Sequence, residues 1–233
     1  SAGKIILGAY LQNKSPEEIF TRLNYQFHQW DLDFKRSKIQ NLNFRYENPA
    51  ARFFVKAEYF RMLNYLYFQE TNLAKDITPV QANSDINLLK ISLGKHFRAG
   101  KFNWESLVFY QKSAQLNVLR TPELYTFNSL YYDINLFKVL RTHLGFDVRY
   151  HTEFQNPAYA INVGQFYNQQ NPIAYSSKPL IDFFVRATLK RANLFVKYEY
   201  LNQGMFSNGY YTVDRYPMPD RILKFGVSWK FYN

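Results

Sequence analysis

The sequence lacks cysteine and long apolar runs, and these two absences exclude several classes of protein. None of its 233 residues is cysteine, so disulfide bridges and thiolate metal sites are excluded. Its longest uninterrupted apolar run is about four residues, whereas a membrane-spanning helix needs roughly 20 mostly apolar residues. A hydrophobic transmembrane helix is therefore excluded as well.

Aromatic and basic residues are, by contrast, abundant. Aromatic residues make up 19% of the chain, with 20 Tyr and 22 Phe, yet the mean hydropathy is −0.41. Many aromatics without a hydrophobic block are typical of strands. The net charge is +11, but the basic residues are spread along the chain instead of clustering on one helix or arm. With no recognition motif present, we expect no nucleic-acid partner.

Residues 143–154, HLGFDVRYHTEF, show the pattern that dominates the chain. The odd positions are mostly ionic and the even positions mostly apolar. Because successive side chains of a strand point to opposite faces, this segment has one polar face and one apolar face. A soluble barrel or sandwich would bury the apolar face, whereas a membrane barrel would turn it towards lipid.

The same alternation predicts ten strands in one domain, residues 1–233. The predicted strands are 3–12, 38–48, 51–67, 86–97, 101–112, 125–137, 143–154, 181–190, 193–203 and 221–233. Most are close to the roughly 9–11 residues of a tilted membrane strand. Residues 18–34 are compatible with one or two further strands, so twelve strands or part of a larger barrel are alternatives.

The links between the predicted strands alternate in length. Tight links are expected at 48–51, 98–100, 138–139 and 191–192, and long links at 13–37, 69–85, 113–123, 155–178 and 204–219. Outer-membrane barrels have short periplasmic turns and longer outer loops. The fold class predicted is therefore all-β, an antiparallel transmembrane β-barrel, and the apolar face of HLGFDVRYHTEF is expected to meet lipid.

The polar rows of the predicted strands carry more bases than acids. The bases are Lys4, Arg45, Arg52, Lys56, Lys90, Arg141, Arg149, Arg186, Lys190, Lys197, Lys224 and Lys230, and the acids are Glu47, Glu58, Glu105, Asp133, Asp147, Glu153, Asp182 and Glu199. Charges on the apolar rows, such as Arg61 and Lys112, fall near strand ends, where a membrane tolerates them. An excess of Lys and Arg in a lumen favours anions.

No enzymatic activity, cofactor or metal site is predicted. His143, Asp147 and His151 share a face, but residues four apart on a strand are separated by roughly 13 Å. A ladder of mutually paired ions explains them better than a catalytic or metal site. No nucleophile lies at a suggestive spacing from His28 or His96.

Several segments together resemble the "putative porin" family of Bacteroidetes outer membranes. They are NYQFHQWDLDF (24–34), LNYLYF (63–68), TPVQ (78–81), GKFNWESLVFYQKS (100–113), TPELYTFNSLYYDINLFK (121–138), LGFDVRYHTEFQNPAYAINVGQFYNQ (144–169) and YPMPDRILKFGVSWKFYN (216–233). Members of the family are generally longer, so the chain resembles their C-terminal portion. The resemblance implies a Gram-negative outer-membrane location and supplies no catalytic residues. GVSWKFYN also resembles the signal through which barrel-assembly machinery recognises its clients.

These observations predict a porin-like passive channel for small hydrophilic solutes with a mild anion preference. The predicted pore-lining residues are Arg141, Asp147, Arg149, Asp182, Arg186, Lys190, Lys197, Glu199, Lys224 and Lys230. The alternative is a non-conducting barrel that serves as a structural or docking subunit of a cell-envelope complex. Expected partners are outer-membrane lipid and lipopolysaccharide, met by rim residues such as Arg61 and Lys112, and other envelope proteins, met by the link 154–179.

Overall fold

One antiparallel sheet organises the protein. The computed structural model describes residues 2–71, 76–175, 177–205 and 211–231, and within them ten long strands form a single sheet in chain order. The strands are β1 (Lys4–Lys14), β2 (Ser37–Asn48), β3 (Phe53–Leu63), β4 (Ile86–Ala99), β5 (Phe102–Ser113), β6 (Leu124–Leu136), β7 (Leu140–His151), β8 (Leu180–Leu189), β9 (Ala192–Glu199) and β10 (Ile222–Trp229). The number of strands, their order of pairing and their antiparallel direction agree with the sequence prediction.

The sheet is open, because β1 and β10 do not pair with each other in the described part of the chain. The structure therefore contains the strands of the predicted barrel without its closure. No helix among the described residues is long and apolar enough to cross a membrane.

The predicted alternation of links is confirmed over the described residues. Tight links join β2 to β3, β4 to β5, β6 to β7 and β8 to β9, and every other connection is long. Residues with positive φ form the tight turns, among them Arg52, Gly100, Lys138 and Lys190. All long links therefore leave the same end of the sheet, since consecutive strands are antiparallel.

Burial on this sheet is the reverse of that on a soluble sheet. The apolar row of each strand faces outward, and Leu7 and Phe225 are 76% and 79% exposed. The polar row holds the buried side chains, including Asn103, Ser129 and Asp182. A sheet that buries its polar row and exposes its aliphatic and aromatic row is suited to contact with lipid on its outer face.

The long links fold on one another into a cap at their end of the sheet. This loop cap contains a short helix, Glu18–Thr21, and four hairpins, which are Arg22–Asn24 with Gln29–Asp31, Leu66–Glu70 with Ile77–Gln81, Ala158–Ala160 with Gln165–Tyr167, and Tyr211–Val213 with Tyr216–Pro217. Phe68, Ile77 and Val163 form its apolar core. The further strands considered within 18–34 thus exist as a cap hairpin and not as members of the main sheet.

Two predicted strands end early because a residue adopts a left-handed conformation. Asn64 has φ of 55° and stops β3, which was predicted to reach residue 67. Tyr200 has φ of 57° and follows β9, which was predicted to reach residue 203. A residue in that region cannot continue a β-ladder, so Tyr200 leaves the apolar row and becomes buried.

Candidate functional site

The polar face of the sheet brings most of the predicted pore-lining residues together. The strand register places eight of them on this face, which are Arg141, Asp147, Arg149, Asp182, Arg186, Lys197, Glu199 and Lys224. Lys190 lies in the turn after β8, and Lys230 follows β10. These two lysines therefore lie beyond the strand ends, at the tight-turn end of the sheet.

Two carboxylates lie at the centre of this arrangement. Asp147 on β7 and Asp182 on β8 are direct cross-strand partners, and both are buried, at 2% and 0% exposure. Like charges placed directly opposite each other destabilise a sheet unless cations are close by. The positions of the neighbouring bases are consequently decisive.

Three basic side chains surround the two carboxylates. Lys197 Nζ lies 2.9 Å from Asp182 Oδ2 and 3.5 Å from Asp147 Oδ2, so it bridges the pair. Arg149 donates to Asp182 Oδ2 at 2.7 Å, and an Arg186 nitrogen lies 3.6 Å from Asp147 Oδ2. The site is therefore a compact network of alternating charge.

Two neutral donors complete the coordination of the carboxylates, and neither was predicted from the sequence. Ser129 Oγ donates to Asp147 Oδ1 at 2.7 Å, and the Tyr200 backbone N–H donates to Asp182 Oδ1 at 3.0 Å. Ser129 is the cross-strand partner of Asp147 on β6. A strand-register alignment of β6 with β7 would have found Ser129, whereas nothing in the sequence marks a backbone donor.

A second pair extends the network towards the last strand. Lys224 Nζ lies 2.7 Å from Glu199 Oε2, and Lys197 is 3.7 Å from the other oxygen of Glu199. Lys197 and Lys224 are themselves cross-strand partners. Each like-charged register pair, Asp147 with Asp182 and Lys197 with Lys224, is therefore held by ion pairs with the opposite charge.

Aromatic side chains on the polar face lie over glycines of the adjacent strand. Phe54 faces Gly94, Tyr131 faces Gly145 and Phe195 faces Gly226 in the register. A methyl group placed on Gly94 would lie 2.1 Å from Phe54 Cε1, and one on Gly226 would lie 2.5 Å from Phe195 Cε1. The Phe54 and Phe195 rings therefore lie against the glycine backbone, whereas Gly145 is crowded by the Leu130 carbonyl oxygen and by Tyr131 Cα and Cβ.

A separate group on β4 to β7 contains His143, which the sequence marked for inspection. His143 Nδ1 lies 2.7 Å from Asp133 Oδ1, with Arg98 3.5 Å from the other carboxylate oxygen. Tyr131 donates to Glu105 Oε1 at 2.7 Å. No group of three or more metal-ligating acids or histidines occurs among the described residues.

The inverted burial, the tight turns at one end and the buried ionic network define an outer-membrane β-strand protein. The chain belongs to the family described as "Putative porin", whose model matches residues 1–233. This membership, together with the structural similarities below, places the protein in the bacterial outer membrane. No curated protein sequence matches the chain.

Solved outer-membrane proteins share the fold at low sequence identity. The copper transporter OprC is similar with a TM-score of 0.66 and 13% identity, over 97% of this chain and 36% of that chain. The pyoverdine outer membrane receptor FpvA from Pseudomonas aeruginosa PAO1 is similar with a TM-score of 0.58 and 14% identity, over 97% of this chain and 34% of that chain. The FrpB iron transporter from Neisseria meningitidis is similar with a TM-score of 0.57 and 15% identity, over 85% of this chain and 32% of that chain. This chain thus spans about a third of the length of these structures.

Proposed function

We propose that the protein is a porin-like passive channel for small hydrophilic solutes, with a mild preference for anions. The observation that carries the proposal is the composition of the polar face, where ionic and hydroxyl side chains line a wall of at least ten strands. Such a wall is wettable on one side and lipid-compatible on the other, as in barrels with water-filled interiors.

The packing of two aromatic rings over glycines supports an open interior. The Phe54 and Phe195 rings occupy space that a side chain on the opposed glycine would need, instead of projecting away from the wall. The inner face therefore carries large residues with little loss of interior width. The proposed anion preference rests on the five bases and three acids of the predicted pore-lining set that lie on the polar face, five minus three being +2, with Lys190 and Lys230 adding positive charge at the tight-turn end.

A conducting barrel also requires its two sheet edges to be paired. Lipid offers no hydrogen-bond partner to the outer N–H and C=O groups of β1 and β10, and open edges do not persist in the hydrocarbon region. Within the proposal, the edges pair with each other or with additional strands, and either arrangement gives a closed wall.

Single-channel conductance of the purified, refolded chain in a planar bilayer tests the proposal. We expect steady conductance and a reversal potential biased towards anions in a salt gradient. Lys224→Glu should shift this potential towards cations, because Lys224 is half exposed on the polar face. Lys138→Glu, the same change in the tight turn after β6, is the matched control and should leave the potential unchanged. Absence of conductance from chain with heat-modifiable gel mobility would refute the channel.

A non-conducting barrel that acts as a docking subunit is the second candidate, and the loop cap favours it. Arg120 joins two long links by donating to the side-chain and backbone oxygens of Gln169 at 2.7 and 2.6 Å. Asn168 donates to two backbone carbonyls of the link that carries Arg120. Loops ordered in this way offer a rigid surface to another envelope protein. A folded chain that is silent in bilayers and retains a partner on affinity purification would support this candidate.

A further inference from the structure

A cavity lies inside the loop cap, away from the ionic network of the sheet. Its volume is about 520 Å³, and its walls come from three different long links. These are the hairpin strand Leu66–Glu70, the segment 158–173 and the residues 214–216. Cavities that bind small molecules usually measure about 300–1,000 Å³, so this cavity has the size of a ligand site.

Three tyrosines supply the flat walls of the cavity. Tyr159, Tyr167 and Tyr216 all line it, and the rings of Tyr159 and Tyr216 meet edge to face at 6.1 Å between centroids. Burial raises the pKa of the Tyr167 phenol, and the nearby Glu70 carboxylate raises it further. The phenol therefore stays protonated at neutral pH and remains able to donate a hydrogen bond.

Charged groups of both signs line the remaining wall. Glu70 Oε2 accepts a hydrogen bond from the Gln170 backbone N–H at 3.0 Å, which orients the carboxylate. Asp214 Oδ1 accepts from the Tyr175 hydroxyl at 2.6 Å, and Arg215 Nε lies 3.6 Å from the other Asp214 oxygen. Two acids and one base give the cavity a negative balance, which disfavours anionic ligands.

Gln169 is a lining residue of the cavity whose side chain is held from behind by Arg120. Its side chain is more than nine-tenths buried, and its Oε1 is occupied by Arg120. Its Nε2 has no hydrogen-bond partner among the described residues. This amide nitrogen is enclosed within the wall, so it is not counted among the groups that meet a ligand.

We propose that this cavity binds a short neutral saccharide. The C–H faces of sugar rings pack on tyrosine rings, while hydroxyl groups donate to Glu70 and Asp214 and accept from the tyrosine phenols. The negative balance selects against acidic sugars. This proposal concerns a site in the cap, so it holds whether or not the lumen conducts.

Isothermal titration calorimetry on the full chain in a non-glycosidic detergent tests the proposal, since a maltoside detergent would occupy the site. The probes are maltotriose, cellotriose and xylotriose. We expect at least one to bind with a Kd below about 1 mM. Tyr216→Ala should weaken that binding about tenfold or more, whereas Tyr216→Phe, which keeps the ring, should change it less than about threefold. Glu70→Gln should also weaken binding.

Tyr25→Ala is the matched control, because Tyr25 is an exposed tyrosine of the cap outside the cavity. The affinity of the Tyr25→Ala variant for the saccharide should equal that of the unaltered chain. Heat-modifiable gel mobility should confirm that every variant is folded. The site is refuted if none of the three probes binds up to about 10 mM, or if Tyr216→Ala behaves like Tyr25→Ala. Binding of tetramethylammonium in place of the saccharides would refute it too, in favour of a cation site. Conductance in bilayers is measured separately, so failure of the channel leaves this test intact.

Discussion

Lys197 contacts both buried carboxylates of the polar face, so Lys197→Met measures how strongly the network depends on that one charge. Methionine keeps most of the volume and removes the ammonium group that lies 2.9 and 3.5 Å from Asp182 and Asp147. The variant leaves two buried carboxylates facing each other across β7 and β8. Arg149 still holds Asp182, whereas the Arg186 contact to Asp147 is long at 3.6 Å.

The expected loss follows from the burial of the two acids. Removing one partner of a buried ion pair costs about 3–5 kcal/mol because a charge is left uncompensated. The two arginines remain and Lys197 is about a quarter exposed, so we expect a loss somewhat below this range, about 2–3 kcal/mol of unfolding free energy. Urea titration of the chain folded into lipid vesicles measures this quantity.

Lys224→Met is the matched control for this experiment. Lys224 is the cross-strand partner of Lys197 and pairs with Glu199, but its side chain is half exposed. Exposed ion pairs contribute little because water screens them, so the control should lose clearly less stability than Lys197→Met. Asp182→Asn combined with Lys197→Met should recover part of the loss. Equal effects of the two lysine variants would refute the argument that burial makes the network around Asp147 and Asp182 strong.

Three further predictions follow from other features. Gly145→Ala should lower the unfolding free energy by about 1–3 kcal/mol, since the new methyl group would lie 2.2 Å from the Leu130 carbonyl oxygen; unchanged urea stability would contradict the close packing. In lipid vesicles, the outer backbone amides of β1 and β10 should exchange hydrogen as slowly as those of β5, because both edges are paired in a closed wall. Fast exchange confined to the two edge strands would contradict closure. The hydrogen bond to Asp214 raises the pKa of Tyr175 above the ordinary value of 10.0. The contribution of this hydrogen bond to cap stability is therefore complete below pH 10 and is lost as the pH rises through the folded pKa. Ultraviolet titration should show a late-ionising phenol that disappears in Tyr175→Phe.

The sequence predicted the sheet well because its two signals are local. Alternation in HLGFDVRYHTEF needs only the strand period, and the sorting of link lengths needs only the positions of turns. The facing of Asp147 and Asp182 could not be predicted, because it depends on the register between β7 and β8 across the link 152–179. A shift of one residue in that register would send every side chain of β8 to the opposite face.

The folded cap was also outside the reach of the sequence pattern. The link 154–179 was expected to meet other envelope proteins, but its contacts with Phe68 and Arg120 join residues far apart in the chain. The strand ends at Asn64 and Tyr200 were missed because both residues are left-handed and bond to groups far away in the chain, Asn64 to Arg36 and Tyr200 to Asp182. Local propensity alone places neither residue at a strand end.

The opposed carboxylates have a consequence for the order in which the strands assemble. β8 and β9 are joined by a two-residue turn, so they form a hairpin quickly and locally. β7 and β8 are separated by the long link 152–179, and closing that loop is slower. We therefore expect the β8–β9 hairpin to reach β7 with Lys197 already beside Asp182. In that order, Asp147 meets the opposite carboxylate only after its lysine is in place, so two bare negative charges do not face each other during assembly.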